Sequence, residues 1–196
     1  MSVVAAIKQN GKIYIGADSQ VTKGGTRLSL SNPNNYKIWR VKGAPNCLMA
    51  SVGALREACV VRIIDNLVKE IDIVKDNIDY EYVVDRIVLR IKSELEYFGY
   101  IEKDRKFEGF DSSYLFAYGD KLYYIASDSS VIEIDDCIAI GSGANESIGS
   151  LLTSSGEEPV ERIIKAIKAS AAHDIYVDYP IIISDTETTE FKIINK

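Results

Sequence analysis

Six residues spread along this 196-residue chain are of types suited to acyl transfer: Ser2, Asp18, Lys37, Gly53, Ser142 and Asp174. Ser2 becomes the terminal residue once Met1 is removed, and a small second residue generally permits that removal. An N-terminal serine with an unblocked amine holds nucleophile and base on one residue. Its α-amine, with a pKa of about 7.7–8.0, can accept the hydroxyl proton where an ordinary lysine near 10.4 mostly cannot. Met-Ser openings are common in unrelated proteins, so the weight falls on the other five positions.

Asp18 closes the second of two apolar runs, in GKIYIGADSQ, which in an antiparallel hairpin lies beside the start of the first. Its carboxylate is thereby expected near Ser2, although a turn-capping aspartate ahead of Ser19-Gln20 accounts for the same residue. Lys37 opens the mostly apolar stretch KIWRV, where a buried ammonium needs a partner, and Asp18 is the available one. Near the hydroxyl such a lysine lowers the nucleophile's pKa; a solvated strand-end lysine is the alternative. Gly53, in SVGALREA, sits where a strand passes into a helix, so that its N–H either faces an oxyanion or simply makes the turn. Ser142, in AIGSGAN, lies between a strand and a helix with a glycine on each side, which lets the backbone approach something closely and is also compatible with an N-cap. Asp174 follows a helix in SAAHDIY, where the helix dipole offers a carboxylate nothing. That leaves a hydrogen-bonding role or a plain loop position.

The elements that must bring these residues together alternate in blocks. Residues 2–8 and 12–18 read as a hairpin about Asn10-Gly11, with near-continuous small and apolar residues, as in strands covered on both faces. A Gly-, Ser- and Asn-rich loop is expected from Lys23 to Asn35. A second hairpin, Lys37 to Val41 and Cys47 to Val52, is expected around Gly43-Ala44-Pro45. Apolar residues at three- and four-residue spacing predict helices from Val60 to Ile71 and, after a break at Asp76-Asn77 and an opening Asp79, from Val83 to Leu95. Gly99 to Asp111 reads as an exposed connection. Strands are expected again at Tyr114 to Tyr118, Leu122 to Ala126, Val131 to Ile134 and Ile138 to Ile140. Helices follow at Ala144 to about Ser154 and Glu158 to about Ala172, then strands at Ile181 to Ser184 and Phe191 to Ile194. With no repeat or linker, one domain over 1–196 suffices. Two hairpin-rich sheets that must each cover both faces predict an α+β fold, a four-layer αββα sandwich.

Composition excludes several classes of function. The net charge of −6 with no basic stripe argues against nucleic acid, and one histidine, His173, rules out a multi-histidine metal site. Three cysteines without a CxxC indicate neither a disulfide framework nor a zinc site. There is no phosphate-binding GxxxxGK[ST] loop, so ATP, if involved, is hydrolysed elsewhere. No apolar run approaches a membrane span and no signal peptide precedes the first strand, which makes a cytoplasmic protein the expectation.

The stretches SVVAAIKQNGKIYIGADSQVT, YKIWRV, SVGALREA, AIGSGAN and SAAHDIY, in this order and spacing, resemble the proteasome β-type subunits, most closely the HslV branch of the N-terminal nucleophile (Ntn) hydrolases. The resemblance implies the αββα sandwich. It also implies an attack on the scissile carbonyl by the terminal residue, threonine in that family and Ser2 here. The family's aspartate and lysine beside the nucleophile fall on Asp18 and Lys37, its oxyanion glycine on Gly53, its glycine-flanked serine on Ser142 and its supporting aspartate on Asp174. Ser51 matches the position lining the specificity pocket; small and polar, it suggests little preference for bulky residues. The resemblance further implies a homo-oligomer of stacked rings or a helical stack, peptide or unfolded-protein substrates, and an ATP-dependent unfoldase as partner. The resemblance implies no metal or organic cofactor, with a structural monovalent cation as the one alternative.

The chain departs from the family pattern at three places. It begins Ser2-Val3 rather than with two threonines, and serine lacks the methyl that restricts the hydroxyl's rotamers. The loop from Lys23 to Tyr36 is longer. After Asp174 the usual serine, or cysteine and threonine, gives way to Tyr176-Val177-Asp178-Tyr179. The principal expectation is a subunit of a self-compartmentalising peptidase. The alternatives are a proteasome-like scaffold without hydrolytic activity and an Ntn amide hydrolase acting on a small molecule.

Overall fold

The computed structural model describes residues 2–29, 31–100 and 109–196. Met1, and most of the connection expected from Gly99 to Asp111, lie outside the described residues. The chain opens with β1 (Val3–Gln9) and β2 (Lys12–Ala17), joined by a tight turn in which Asn10 and Gly11 have φ of 57° and 75°. These positive angles are those a two-residue hairpin turn requires. Next come β3 (Gln20–Lys23), β4 (Thr26–Ser29), a 3₁₀ turn (Pro33–Asn35), β5 (Ile38–Val41) and β6 (Ala44–Gly53). The helical middle comprises α1 (Leu55–Ile63), α2 (Glu70–Val74) and α3 (Tyr80–Tyr82), which runs through a π-helical turn (Val83–Val88) into α4 (Leu89–Tyr97). The remainder is β7 (Ser112–Tyr118), β8 (Lys121–Ile125), β9 (Val131–Glu133), β10 (Cys137–Gly141), α5 (Ala144–Thr153), α6 (Pro159–His173), β11 (Ile181–Asp185) and β12 (Lys192–Ile194).

Among the described residues the strands form two five-stranded sheets, ordered β10-β1-β2-β11-β12 and β5-β6-β7-β8-β9, and a ribbon of β3 and β4. Period-two alternation sorts the side chains of each strand between two faces. Val4 and Ala6 of β1 meet Ile13 and Ile15 of β2, Leu48 and Ala50 of β6 and Leu115 of β7 in a core between the sheets. Val3, Ala5 and Ile7 turn the other way, onto Ile163 and Ile167 of α6 and Leu151 of α5. Met49, Tyr114 and Phe116 of the second sheet pack against Val60, Val61, Ile87 and Ile91 of α1, the π turn and α4. Three apolar cores therefore separate four layers, helix, sheet, sheet, helix, as the sequence led us to expect. α6 can lie close because Gly16 has no side chain: a Cβ there would be 3.3 Å from both Ile167 and Ile183 and would overlap Ile163.

Three local expectations are corrected. The Gly- and Ser-rich stretch after Lys23 is not wholly a loop, since Gly24 and Gly25, with φ of 56° and 79°, turn β3 back into β4. The apolar spacing from Val60 to Ile71 does not make one helix. α1 ends at Ile63, the backbone is extended at its C-cap Ile64, and the buried Leu67 and Val68 reach the core from an irregular segment. The turn between β5 and β6 is centred on Lys42-Gly43, so Ala44 already belongs to β6, with a bulge at Arg40/Val41. Asp79 opens its helix as expected, its carboxylate accepting the Tyr82 N–H at 2.9 Å.

Candidate active site

Burial of both faces of β1 starts at its first residue, so the start of this strand is fixed: Val3 is wholly buried and Ser2 only 7% exposed. β10 runs antiparallel beside β1 with Val3 opposite Gly141, which brings the Gly141-Ser142-Gly143 turn against Ser2. Gly141 has φ 101°, and a Cβ there would overlap the Ser2 carbonyl oxygen. Only glycine leaves room for so close an approach. The Ser142 hydroxyl accepts the Ser2 N–H at 3.1 Å and lies 3.3 Å from the Ser2 carbonyl, and the Gly143 N–H donates to that carbonyl at 3.4 Å. Ser142 thus clasps both main-chain groups of Ser2. The N-cap of α5 is Gly143, so capping does not account for Ser142. The Gly143 carbonyl accepts from Ser170 of α6 at 2.5 Å, and Ser170 Oγ lies 2.8 Å from Ser147 Oγ of α5, which ties this turn to the outer helices.

Asp18 follows β2 and is fully buried. Its Oδ1 accepts the Val3 N–H at 2.9 Å and the Lys37 ammonium at 2.7 Å; its Oδ2 accepts the N–H of Gln20 at 3.0 Å and of Asp178 at 3.4 Å. Lys37, immediately before β5, is 8% exposed and gives a second hydrogen bond to the Gln20 carbonyl at 2.6 Å. Burial holds the Lys37 ammonium below its ordinary pKa of 10.5, with the charges of Asp18 and Asp174 opposing that fall. Burial likewise pushes the Asp18 carboxyl up, opposed by Lys37 and by the N–H groups of Val3 and Gln20. Four donors converge on one carboxylate, one of them from the residue after Ser2. The pair is thereby coupled to the backbone that carries Ser2.

Gly53 ends β6 opposite Ser112, with φ 123°, and a Cβ there would stand 2.6 Å from the Ser112 Cα. The next residue's N–H donates to Ser112 Oγ at 3.0 Å, and the buried Glu57 accepts the Asp111 N–H at 2.8 Å and the Tyr114 hydroxyl at 3.0 Å. The turn after Gly53 is thus tied to Ser112 of β7, and Glu57 of α1 ties that helix to the same strand. A cleft of about 210 Å³ connects Ser2 and Lys37 with Ser51, Gly53, Leu55 and Arg62. Ser51 lines it as well. Asp174 caps α6 but bends back on its own turn, its Oδ1 accepting the Tyr176 N–H at 2.8 Å. It bears on the site through its charge on Lys37.

Gln20, Gly141 and Arg62 are among the participants not singled out from sequence. Gln20 contributes backbone groups, which no residue type announces. Gly141 was noted only as a flank of Ser142. Arg62 lies one turn along α1 from Cys59, and its place in the cleft follows from the packing of α1 beside β5. Among the described residues no cluster of three or more His, Cys, Asp or Glu could hold a metal ion, and no helix is long and apolar enough to cross a membrane.

The proteasome subunit family model matches residues 2–184, and the chain belongs to that family. In fold it is similar to the Thiobacillus denitrificans BPH, with TM-score 0.73 and 21% identity over 93% of this chain and 96% of that one. It is similar also to eukaryotic HslV from Trypanosoma brucei, with TM-score 0.66 and 15% identity over 93% and 98%. A Gly-1 mutant of Anbu from Hyphomicrobium sp. strain MC1 gives TM-score 0.69 and 12% identity over 100% and 88%. These likenesses show that the chain shares their fold. No curated protein matches the sequence.

Proposed function

We propose that the chain is a peptidase subunit of the Ntn type in which Ser2, exposed by removal of Met1, is the nucleophile. The observation that carries the reading is the convergence on one residue: Ser142 holds the Ser2 nitrogen at 3.1 Å, and the Asp18–Lys37 pair is bonded to the N–H of Val3 beside it. In the reaction, Ser2 Oγ attacks the carbonyl carbon while the α-amine takes its proton. Lys37 favours the developing negative charge on Oγ, and the Gly53 N–H stabilises the tetrahedral oxyanion. The ammonium returns the proton to the leaving nitrogen as the C–N bond breaks, and water then hydrolyses the Ser2 ester. No cofactor takes part.

Assembly into a homo-oligomer that encloses the sites, fed with unfolded protein by an ATPase in the cytoplasm, completes the proposal. Its support is membership of the proteasome subunit family. A scaffold without hydrolytic activity is the second reading, and one observation favours it. Asp174 turns its Oδ1 to the Tyr176 N–H.

The test begins with the intact mass of protein expressed without N-terminal additions, where loss of one methionine is expected. Fluorogenic peptides are then offered to wild type and to Ser2→Ala. Cleavage abolished in Ser2→Ala, with the assembly unchanged by sedimentation, supports the peptidase. A retained methionine, or processed wild type that cleaves nothing, transfers the conclusion to the scaffold.

A further inference from the structure

Two serines that the proposed reaction does not use, Ser147 of α5 and Ser170 of α6, are fully buried where the two helices pack together. A serine or threonine in a helix ordinarily bonds back to the carbonyl one turn before it, as Thr153 does with Gly149 at 2.9 Å and Ser154 with Ser150 at 2.8 Å. Ser170 departs from that habit. The carbonyl four residues before it, on Ala166, lies 3.4 Å from Ser170 Oγ, whereas the Gly143 carbonyl at the start of α5 lies 2.5 Å away and takes the shorter bond. Ser147 Oγ stands 2.8 Å from Ser170 Oγ and 3.0 Å from the Ala166 carbonyl. The Ser170 hydroxyl is thus directed across the helix pair rather than along its own helix.

Gly143 connects that hydroxyl to Ser2. Its carbonyl also accepts the Ser147 N–H at 3.2 Å, the first bond of α5, and its N–H donates to the Ser2 carbonyl at 3.4 Å. A Cβ on Gly143 would stand 2.7 Å from the Ser170 Cβ, so only glycine permits the contact. Ser142, one residue earlier, holds the Ser2 nitrogen at 3.1 Å, the nitrogen that becomes the α-amine once Met1 is gone. The Ser170 carbonyl accepts the Asp174 N–H at 2.8 Å, so one residue ties the Gly143 turn to the end of α6. Removing the Ser170 hydroxyl would strand no buried group, since Ser147 Oγ keeps the Ala166 carbonyl and the Gly143 carbonyl keeps the Ser147 N–H. Alanine would serve the helix packing; what the hydroxyl adds is a fixed place for Gly143.

We propose that Ser170 is a positioning residue for Ser2: through the Gly143 carbonyl it fixes the Gly141-Ser142-Gly143 turn, so that Ser142 Oγ holds the α-amine where it can take the Ser2 hydroxyl proton, while Ser147 orients the Ser170 hydroxyl. The inference rests on the peptidase reading for its effect on rate, and on the hydrogen-bond chain alone for its effect on the Ser2 nitrogen. Ser170 touches neither substrate nor the reacting atoms. Its contribution is geometric, because proton transfer needs hydrogen-bond reach and a misplacement of about 1 Å costs on the order of 100-fold in rate. An N–H accepted by Ser142 Oγ also favours the charged ammonium, so a turn that drifts from Ser2 lowers the amine's pKa.

The chain is prepared with Ser2 as its first residue, by cleavage of an N-terminal fusion, as wild type, Ser170→Ala, Ser170→Cys and Ser147→Ala. Hydrolysis of a fluorogenic peptide gives kcat and KM. The pH dependence of competitive acetylation, read from the mass of the N-terminal peptide, gives the pKa of the Ser2 amine whether or not the chain hydrolyses anything. Ser170→Ala is expected to lower kcat about tenfold with KM unchanged, and to lower the amine pKa. Ser170→Cys, which keeps a weak donor, is expected to recover part of both, and Ser147→Ala, which leaves the Gly143 bond in place, to change them least. A serine that only supported the fold would lower thermal stability alone. A folded Ser170→Ala chain with wild-type kcat and amine pKa, or one in which KM alone rises, overturns the proposal and leaves the peptidase reading standing. A wild type that cleaves nothing, while Ser170→Ala still lowers the amine pKa, ends the peptidase reading and upholds the placement of the Ser2 nitrogen; no hydrolysis and no shift ends both. If Ser170→Ala fails to fold, Ser170→Cys decides, and wild-type kcat and amine pKa in that variant overturn the proposal.

Discussion

Lys37 and Arg62 line the same cleft, and their surroundings differ. The Lys37 ammonium has Asp18 at 2.7 Å and the Gln20 carbonyl at 2.6 Å, and its carboxylate partner is bonded in turn to three backbone N–H groups. Arg62 has one carbonyl and the face of an indole, with two nitrogens left over. A buried cation completed by the protein becomes part of the framework, since removing it strands its partner's charge. A cation left incomplete keeps its desolvation cost and so contributes less to the framework. The contrast ties the support of the Ser2 backbone to the completed cation.

Substitution of the completed cation is the strongest way to break this comparison. Lys37→Met leaves Asp18 buried without its counter-charge and is expected to cost about 3–5 kcal/mol in chemical denaturation. Peptide hydrolysis in whatever fraction stays folded is expected to fall about a hundredfold or more. A Lys37→Met protein as stable as wild type means that the pair does not hold the site. Next in size is Gly141→Ala. It forces a side chain onto the Ser2 carbonyl at a positive φ of 101°, with an expected loss of about 1–3 kcal/mol and displacement of Ser2 from Ser142. A hydrolysis rate that drops by more than the stability loss explains would locate the damage at Ser2 itself.

The pH profile sharpens the comparison without any substitution. The base in the proposed reaction is the α-amine, so the rate is expected to rise as that group loses its proton, at about pH 7.7–8.0 for an ordinary terminus. Lys37 acts in its protonated form, and burial holds its pKa below 10.5. The rate is therefore expected to fall again at a lower pH than an ordinary lysine would impose. A profile flat up to pH 10.5 would remove Lys37 from the proposed chemistry. The smallest effect is expected at the incomplete cation. Arg62→Met loses the ring contact, worth about 0.5–2 kcal/mol, and gains relief of an unpaired buried charge, so thermal unfolding is expected to shift by no more than a few degrees. A loss as large as that of Lys37→Met would show Arg62 to be framework after all.

Much of the Ser2 end was legible in the residue order. Positions that depend on hairpin geometry could be read because an antiparallel turn has a fixed register: β2 ends where β1 begins, and Asp18 accordingly reaches Val3. The glycines around Ser142 announced a close approach, and Gly141 makes it against the Ser2 carbonyl. The β3–β4 hairpin was missed because polar, glycine-rich residues look the same in a loop and in an exposed ribbon. The split of the Val60–Ile71 segment was missed because apolar spacing records burial and not the backbone path that achieves it. The place of Arg62 in the cleft was not legible at all.

By itself the sequence determined the alternation of strands and helices, the two-sided burial that makes four layers necessary, and the residue types clustered at Ser2. These follow from local periodicity and turn chemistry, which act over a few residues. Tertiary structure alone decided which groups complete the Asp18–Lys37 pair and that an arginine of α1 enters the Ser2 cleft. It also decided that Asp174 bonds its own turn. Such contacts join groups far apart in the chain, and their partners are often backbone atoms, which every residue carries alike.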